Sequence, residues 1–249
     1  MKQEKVVLIT GASRGIGKAA ALACARAGMQ VVATGRAQKA LETLDDEIRS
    51  FQGLPATIVP MDLTDYDAID RLGGALFQRF GRLDGLIHAA AHLGELTPVA
   101  HATPRMGEHM IATNLTASWR LIRSMEPLLI QAHRARVIFF TSGVAHHPRA
   151  HWGLYAATKA GVETMAKCWA DEIAFKHVVV SILNPGPVAT LMRKNAFPGE
   201  DQSTLPRPEH LSSMILELMS EAHTQTGTIV HFRETAHFRA WQDGQANSG

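Results

Sequence analysis

The 249-residue chain is poor in several things at once. It holds two cysteines, at positions 24 and 168, which are too few for a disulfide framework and are not spaced as a zinc site. A reducing compartment is the simplest expectation, and with it a cytoplasmic protein. Charge of one sign is equally scarce: 25 Lys+Arg against 23 Asp+Glu leave a net +2. That balance excludes a nucleic-acid binder driven by net charge, and it excludes an acidic disordered chain. Long apolar runs are missing. Val6–Ile9 breaks at Thr10-Gly11, and no later run approaches the roughly 18 residues of a membrane span. The expectation is a soluble chain with neither export signal nor membrane partner. Internal repeats, low-complexity tracts and Gly/Ser-rich linkers are absent too.

What the chain does have is apolar content, 46% of its residues, arranged in alternation. A chain of this length can bury roughly 70–75% of its unfolded surface, enough for one large domain. Short runs at Lys5–Thr10, Gln30–Thr34, Ala56–Met61, Gly85–His88, Arg136–Thr141, Val178–Leu183 and Thr228–Phe232 read as strands. Several lack a polar face, as strands buried on both sides do. Between them, Ile16–Ala27, Lys39–Phe51, Tyr66–Phe80, Arg105–Gln131 and Leu154–Phe175 have the length and spacing of helices. This pattern predicts an α/β fold: a doubly wound parallel sheet of about seven strands with helices on both faces. Unbroken alternation predicts a single domain over residues 1–249. The polar, proline-bearing stretch 191–208 follows a strand end and reads either as a plain surface loop or as an excursion over the sheet edge where ligands bind. Residues 242–249 read as a frayed tail.

Directly after the first strand stands Thr10-Gly11-Ala12-Ser13-Arg14-Gly15-Ile16-Gly17. Glycines there permit a tight turn and let backbone N–H groups approach a pyrophosphate at a helix N-terminus. Folds that bind NAD often place a carboxylate about 20 residues further on to grip the ribose. Here the second strand ends in Gly35-Arg36 instead. Two guanidinium groups, Arg14 and Arg36, suit a 2′-phosphate, so NADP(H) is favoured over NAD(H). After the third strand, Asp65 or Thr64 could cap the next helix. Asp62, at the strand end, is placed to accept a hydrogen bond from an adenine amino group.

The strand Arg136–Thr141 runs into Ser142-Gly143, and Tyr155-Ala-Ala-Thr-Lys159 follows. On a helix, Tyr155 and Lys159 share one face. A tyrosine with a pKa near 10 is a poor base at neutral pH. A cation about 4 Å away is worth roughly 4 kcal/mol, which could lower that pKa by up to about three units. Such a tyrosine can exchange a proton with a carbonyl or carbinol oxygen, and Ser142 could hold the same oxygen.

The glycine loop, Asp62-Leu63, Asn114, Ser142, Tyr155-x-x-x-Lys159 and Asn184-Pro185-Gly186-Pro187-Val188-Ala189-Thr190 together resemble the short-chain dehydrogenase/reductase family over roughly residues 4–232. The resemblance implies a Rossmann-type sheet of strand order 3-2-1-4-5-6-7. It implies a tetrad in which Tyr155 is the acid/base, Ser142 orients the substrate oxygen, Lys159 binds the nicotinamide ribose and lowers the Tyr155 pKa, and Asn114 holds a relay water. Cofactor contacts are implied for Gly11, Ser13, Arg14, Gly15, Ile16, Gly17, Arg36, Asp62, Leu63, Ala89, Ala90, Tyr155, Lys159, Pro185, Gly186, Val188 and Thr190. Residues 191–208 would be the substrate lid. A homodimer or homotetramer would form through Arg105–Gln131 and Leu154–Phe175. Within the family, His151–Tyr155 and Asn195–Asp201 most resemble the bacterial YciK-type oxidoreductases, a branch that carries over no substrate.

Two departures stand out. The family usually has Asn-Asn-Ala-Gly after the fourth strand, and this chain has His88-Ala89-Ala90-Ala91. The lost Asn side chain predicts a looser fit of that loop. The last strand runs into His231-Phe232-Arg233-Glu234 where the family often has Asp-Gly-Gly, which leaves the C-terminal contacts open. Thirteen histidines invite a metal, but His146, His147 and His151 lie in a loop without acid or cysteine, so no metal is expected. Candidate substrate contacts are His92, Val144, Trp152 and Met192. The function expected is an NADP(H)-dependent oxidoreductase acting on a small-molecule carbonyl/alcohol pair. The alternative is a nucleotide-binding regulator or scaffold of the same fold with little turnover.

Overall fold

A computed structural model describes residues 4–246 of the chain. Seven strands are formed among them: β1 (Val6–Thr10), β2 (Gln30–Gly35), β3 (Thr57–Pro60), β4 (Gly85–His88), β5 (Ala135–Phe140), β6 (Val178–Asn184) and β7 (Thr228–His231). All pair in parallel in the order β3-β2-β1-β4-β5-β6-β7, with Val7 beside Val31 on one side and Gly85 on the other. Helices α1 (Gly15–Arg26), α2 (Gln38–Ser50), α3 (Tyr66–Phe80), α4 (Pro104–Ile111), α5 (Ala117–Leu129), α6 (Gly153–Glu172), α7 (Leu191–Ala196), α8 (Ser212–Leu218) and α9 (Ala236–Ala246) fill the connections. The expected fold class is what is found.

Every residue of β1, β4 and β5 is buried, so these strands carry no polar face to betray a period of two. The period appears in which core each residue joins. Val6 and Leu8 belong to the core that holds Leu72 of α3, Met125 of α5 and Trp169 of α6. Val7 and Ile9 belong to the other, which holds Ala20 of α1, Leu44 of α2 and Ile215 of α8. Local chemistry sets the helix ends. Asp65 caps α3 by accepting from the Ala68 N–H at 3.0 Å, and Gly81 closes it in the left-handed region at φ 71°. Helix α1 lies close to the chain because it is built from small residues. A Cβ on Gly17 would sit 2.2 Å from the Gly11 carbonyl oxygen.

Two expectations change, and one of two open readings is narrowed. The single helix expected over Arg105–Gln131 is interrupted: α4 ends at Ile111, a wide π-type turn takes Ala112–Thr116, and α5 begins at Ala117. The extra residue in that turn breaks the helical register, and such bulges recur at functional sites. Asn114 sits in it, buried. The stretch 191–208 is not a plain loop but carries α7 and a 3-10 turn at Gln202–Thr204. Against the frayed tail expected over 242–249, α9 continues through Ala246; residues 247–249 lie outside the described residues. No helix among the described residues is long and apolar enough to cross a membrane.

Phe139 of β5 is wholly buried, edge-on to Trp169 at 6.3 Å and to His88 at 5.7 Å. Truncation to alanine leaves a void between sheet and α6. Phe139→Ala is expected to cost about 3–5 kcal/mol of unfolding free energy, read from the urea midpoint. A loss under about 1 kcal/mol would show that the two layers do not depend on this contact.

Candidate active site

The carboxyl ends of the central strands open into two adjoining cavities. The first, of about 510 Å³, is walled by the expected Gly11, Ser13, Arg14, Gly15, Ile16, Gly17, Arg36, Asp62, Leu63, Ala89, Ala90, Tyr155, Lys159, Pro185 and Thr190. Gly11 explains how two loops meet there. It adopts φ +67°, and a Cβ on it would lie 2.8 Å from the Ala90 backbone. No side chain caps α1 and no acid stands in its first turn, so its leading N–H groups present partial positive charge to the cavity. Arg36 is exposed, its guanidinium 4.0 Å from the Asp62 carboxylate. Burial raises the Asp62 pKa, but the N–H and hydroxyl of Thr64, both donating to its Oδ1, and the Arg36 charge outweigh it and hold the carboxyl below its ordinary range.

The second cavity, of about 410 Å³, is walled by Ser142, Val144, Trp152, Tyr155, Gly186, Val188 and Met192. Gly186 and Val188 face this cavity and not the first; Tyr155, Ile16, Pro185, Thr190 and Met192 border both. His92, expected among the substrate contacts, lines the first cavity, with its ring against His109 at 4.8 Å. Asn114 lines neither. Its Oδ1 accepts from the His92 N–H at 2.7 Å, while its Nδ2 donates to the His92 carbonyl at 2.8 Å and to Thr158 Oγ1 at 3.1 Å. One side chain thus pins the loop after β4 to α6.

Tyr155 and Lys159 lie one turn apart on α6, both buried. The Tyr155 hydroxyl sits 4.0 Å from the Met192 sulfur. Lys159 Nζ donates to the Phe140 carbonyl at 2.9 Å and lies 5.8 Å from the Tyr155 ring centre. The expected pKa pattern is reversed. Burial pushes the Tyr155 phenol above its ordinary value. Burial also pushes Lys159 down to about 8, with the Glu163 charge acting the other way. Nothing offsets that desolvation at the phenol, because the ammonium donates to a strand carbonyl.

Glu163, one turn beyond Lys159 on the same helix face, escaped the sequence expectations although the i,i+4 spacing made it legible. It is buried, and both its oxygens are engaged: Thr141 donates to Oε1, and His146 Nε2 lies 2.9 Å from Oε2. His88 is the other residue whose role the sequence hid. Ser118 Oγ donates its one hydrogen to the Asn114 carbonyl at 2.6 Å, so at 2.9 Å from His88 Nε2 it accepts. His88 therefore carries its hydrogen on Nε2, and Nδ1 accepts from Thr10 Oγ1 at 2.7 Å. Thr10 Oγ1 in turn accepts from the Ala90 N–H at 3.3 Å. The loop expected to fit loosely is tied at both ends. Among the described residues, no three His, Cys, Asp or Glu converge on a point that could hold a metal ion.

Residues 5–201 match the short chain dehydrogenase family model. The chain belongs to the short-chain dehydrogenase/reductase family. It is 32% identical over 220 residues to the uncharacterized oxidoreductase YciK of Escherichia coli K12, covering 88% of this chain and 87% of that one. It is equally 32% identical over 241 residues to the 3-oxoacyl-[acyl-carrier-protein] reductase FabG of Thermotoga maritima, covering 91% and 95%. A short chain dehydrogenase from Shigella flexneri 2a, solved in complex with NADP, superposes with a TM-score of 0.88 at 31% identity over 92% of this chain and 97% of that one. As a short-chain dehydrogenase/reductase the protein is an oxidoreductase that uses a nicotinamide cofactor, and its resemblance to YciK holds along most of its length.

The His88 network has a pH signature. Burial first, and the Lys159 charge second, push the His88 pKa from 6.5 to about 3. Between those values the unfolded chain holds the proton and the folded chain does not, so this residue lowers stability as pH falls through 6.5. The loss should reach about 2 kcal/mol by pH 5. In His88→Asn that part of the acid sensitivity should vanish, whatever the variant's stability at pH 7. Chemical denaturation of both proteins at pH 7 and pH 5 checks this, and parallel losses would refute it.

Proposed function

We propose that the protein is an NADP(H)-dependent oxidoreductase interconverting a carbonyl and a secondary alcohol, with Tyr155 as the acid/base. The observation that carries this is the position of Tyr155 on the wall between the two cavities, with Lys159 one turn away and Ser142 across the second cavity. The residues present fit the cofactor. Gly11 and Ala90 form a cradle that a Cβ would fill, the N-terminus of α1 is uncapped, and Arg14 and Arg36 bring two guanidiniums to a cavity lined by two carboxylates, Glu209 and Asp62, the latter already bonded by Thr64. The first-cavity residues Gly11 to Gly17, Asp62, Leu63, Ala89 and Ala90 would hold the adenosine and pyrophosphate half. Gly186 and Val188, with Pro185 and Thr190, would hold the nicotinamide end. The Shigella relative's complex with NADP supports the same choice of cofactor.

The bound cofactor supplies or accepts the hydride. Tyr155 gives its proton to the substrate oxygen in reduction and recovers it in oxidation. Ser142 donates a hydrogen bond to that oxygen. Lys159 grips the ribose and, once turned toward it, brings its charge to the phenol. A relay water at Asn114 would sit behind the cavity wall, since the side chain is already bonded to His92 and Thr158. Residues 191–208 act as the substrate lid: Met192 reaches Tyr155, and Phe197 stacks on Trp152 with ring centres 5.7 Å apart. The assembly is a homodimer or homotetramer built on α4, α5 and α6, where Ile111 and Trp119 are exposed. A scaffold without turnover drew its support from the altered His88–Ala91 segment, and the complete bonding of His88 removes that support.

Turnover of NADPH with a panel of ketones, quinones and 3-oxoacyl thioesters tests the activity. Tyr155→Phe should lower kcat by about 10²–10⁴ while cofactor binding persists. Tight NADPH binding without turnover on a broad panel would favour the scaffold instead. For the cofactor, Arg36→Asp should reduce the ratio of kcat/KM for NADPH over NADH by about tenfold or more. An unchanged ratio would remove Arg36 from the 2′-phosphate site.

A further inference from the structure

The second cavity has a charge pattern that neither the tetrad nor the cofactor uses. Arg149, Arg193, Arg233 and His147 stand on its wall, and no aspartate or glutamate does. The chain as a whole is nearly neutral, so this imbalance is local. None of the three arginines lines the first cavity, where Arg14 and Arg36 stand. The two sets of guanidiniums therefore serve different ends of the cleft.

The three are not equivalent. Arg193 is satisfied: its Nε and Nη2 both donate to the Glu200 carboxylate at 2.6 Å, and its plane covers the Phe197 ring at 3.8 Å. That pair builds the lid and leaves no fork for a ligand. Arg149 is exposed, and its side chain has no partner among the described residues. Arg233 runs beside Gly186, where an added Cβ would meet its stem at 3.4 Å, and its guanidinium carbon lies 5.4 Å from the centre of the Phe238 ring. After the Arg193 bonds, its charge helps hold the Glu200 carboxyl below its ordinary range, but its guanidinium makes no ion pair within 4 Å among the described residues, and Glu200 is bonded to Arg193. So one guanidinium without a hydrogen-bonded carboxylate stands beside the Pro185–Gly186 turn, and a second stands on the loop between Ser142 and Tyr155. The remaining wall is apolar, formed by Leu93, Val144, Trp152 and Phe197.

We infer that the substrate is a carbonyl compound with an apolar body and an anionic group, a carboxylate or a phosphate, that pairs with Arg149 and Arg233 while the carbonyl rests at Ser142 and Tyr155. This rests on the oxidoreductase function proposed above. A carboxylate or phosphate accepts the two-pronged donation a guanidinium offers, and a neutral isostere does not. With the apolar body against Trp152 and Phe197, that pairing fixes which end of the molecule meets the tyrosine.

Two ketones of different reach, 4-acetylbenzoic acid and 4-acetylcinnamic acid, each compared with its methyl ester, test the assignment under NADPH. At least one acid should exceed its ester in kcat/KM by about tenfold, and raised ionic strength should narrow the gap. In Arg149→Gln/Arg233→Gln the ratio should fall toward one, and in Arg149→Lys/Arg233→Lys it should stay well above one. Ratios near one for both pairs in the wild type, or a ratio unchanged in the glutamine variant, would overturn the proposal. If neither ketone is turned over, the carbonyl/secondary-alcohol chemistry proposed above fails separately for this substrate class. Fluorescence titration then still tests the cavity, with Trp152→Phe identifying the signal. Tighter binding of an acid than its ester, lost in the glutamine variant, supports the anionic site; equal binding overturns it.

Discussion

Three stretches far apart in the chain meet along one line of hydrogen bonds, from Thr10 on β1 through His88 on β4 and Ser118 on α5 to the carbonyl of Asn114 in the adjoining π-type turn. Each member has one way to donate and one to accept, so the direction of the whole line is determined by its ends. The Ala90 N–H enters at Thr10, and the Asn114 side chain leaves toward His92 and Thr158. If one bond breaks, a buried polar group is orphaned at a cost of about 1–3 kcal/mol. The loop after β4, which floors the first cavity, and the helix bearing Tyr155 are held at one spacing by this line.

Burial acts in one sense on three groups of the site. It removes the charge from His88 and eases it from Lys159, and it raises the Tyr155 phenol. All three shifts disfavour the charged form, as desolvation must. The counterweight is Glu163, whose buried carboxylate is held by Thr141 and His146 beneath Lys159. The rims are different. There Arg14, Arg36, Arg149 and Arg233 remain exposed, Arg36 near Asp62 and Arg233 over the Phe238 ring. Cationic rims beside an apolar wall suit a molecule that is apolar in the middle and anionic toward its ends.

The sheet was legible because both its faces are covered. Runs such as Val6–Ile9 and Val178–Leu183 must be strands once they are too short to be buried helices and are separated by amphipathic segments. The glycine loop was legible for a related reason: at Gly11 and Gly17 a Cβ would meet backbone 2.8 Å and 2.2 Å away, so the residue type itself records the contact. Tyr155, Lys159 and Ser142 could be read from spacing along one helix and one strand end. The break in Arg105–Gln131 could not, since no proline or glycine marks Ala112–Thr116 and the π-type turn is selected by what Asn114 bonds to. Nor could Arg149 and Arg233 be paired, because 84 positions separate them and only folding brings them to one cavity.

Hydrophobic periodicity and backbone-level residue constraints act locally, and they determined the strand and helix order, the glycine-lined first turn and the Tyr-Lys face without reference to anything distant. The tautomer of His88, the downward shift of Lys159, the division of the arginines between two cavities and the seat of His92 in the first of them were decided by tertiary structure alone. Each depends on which groups desolvate or neutralise a side chain from another element, and a linear sequence does not record those distances.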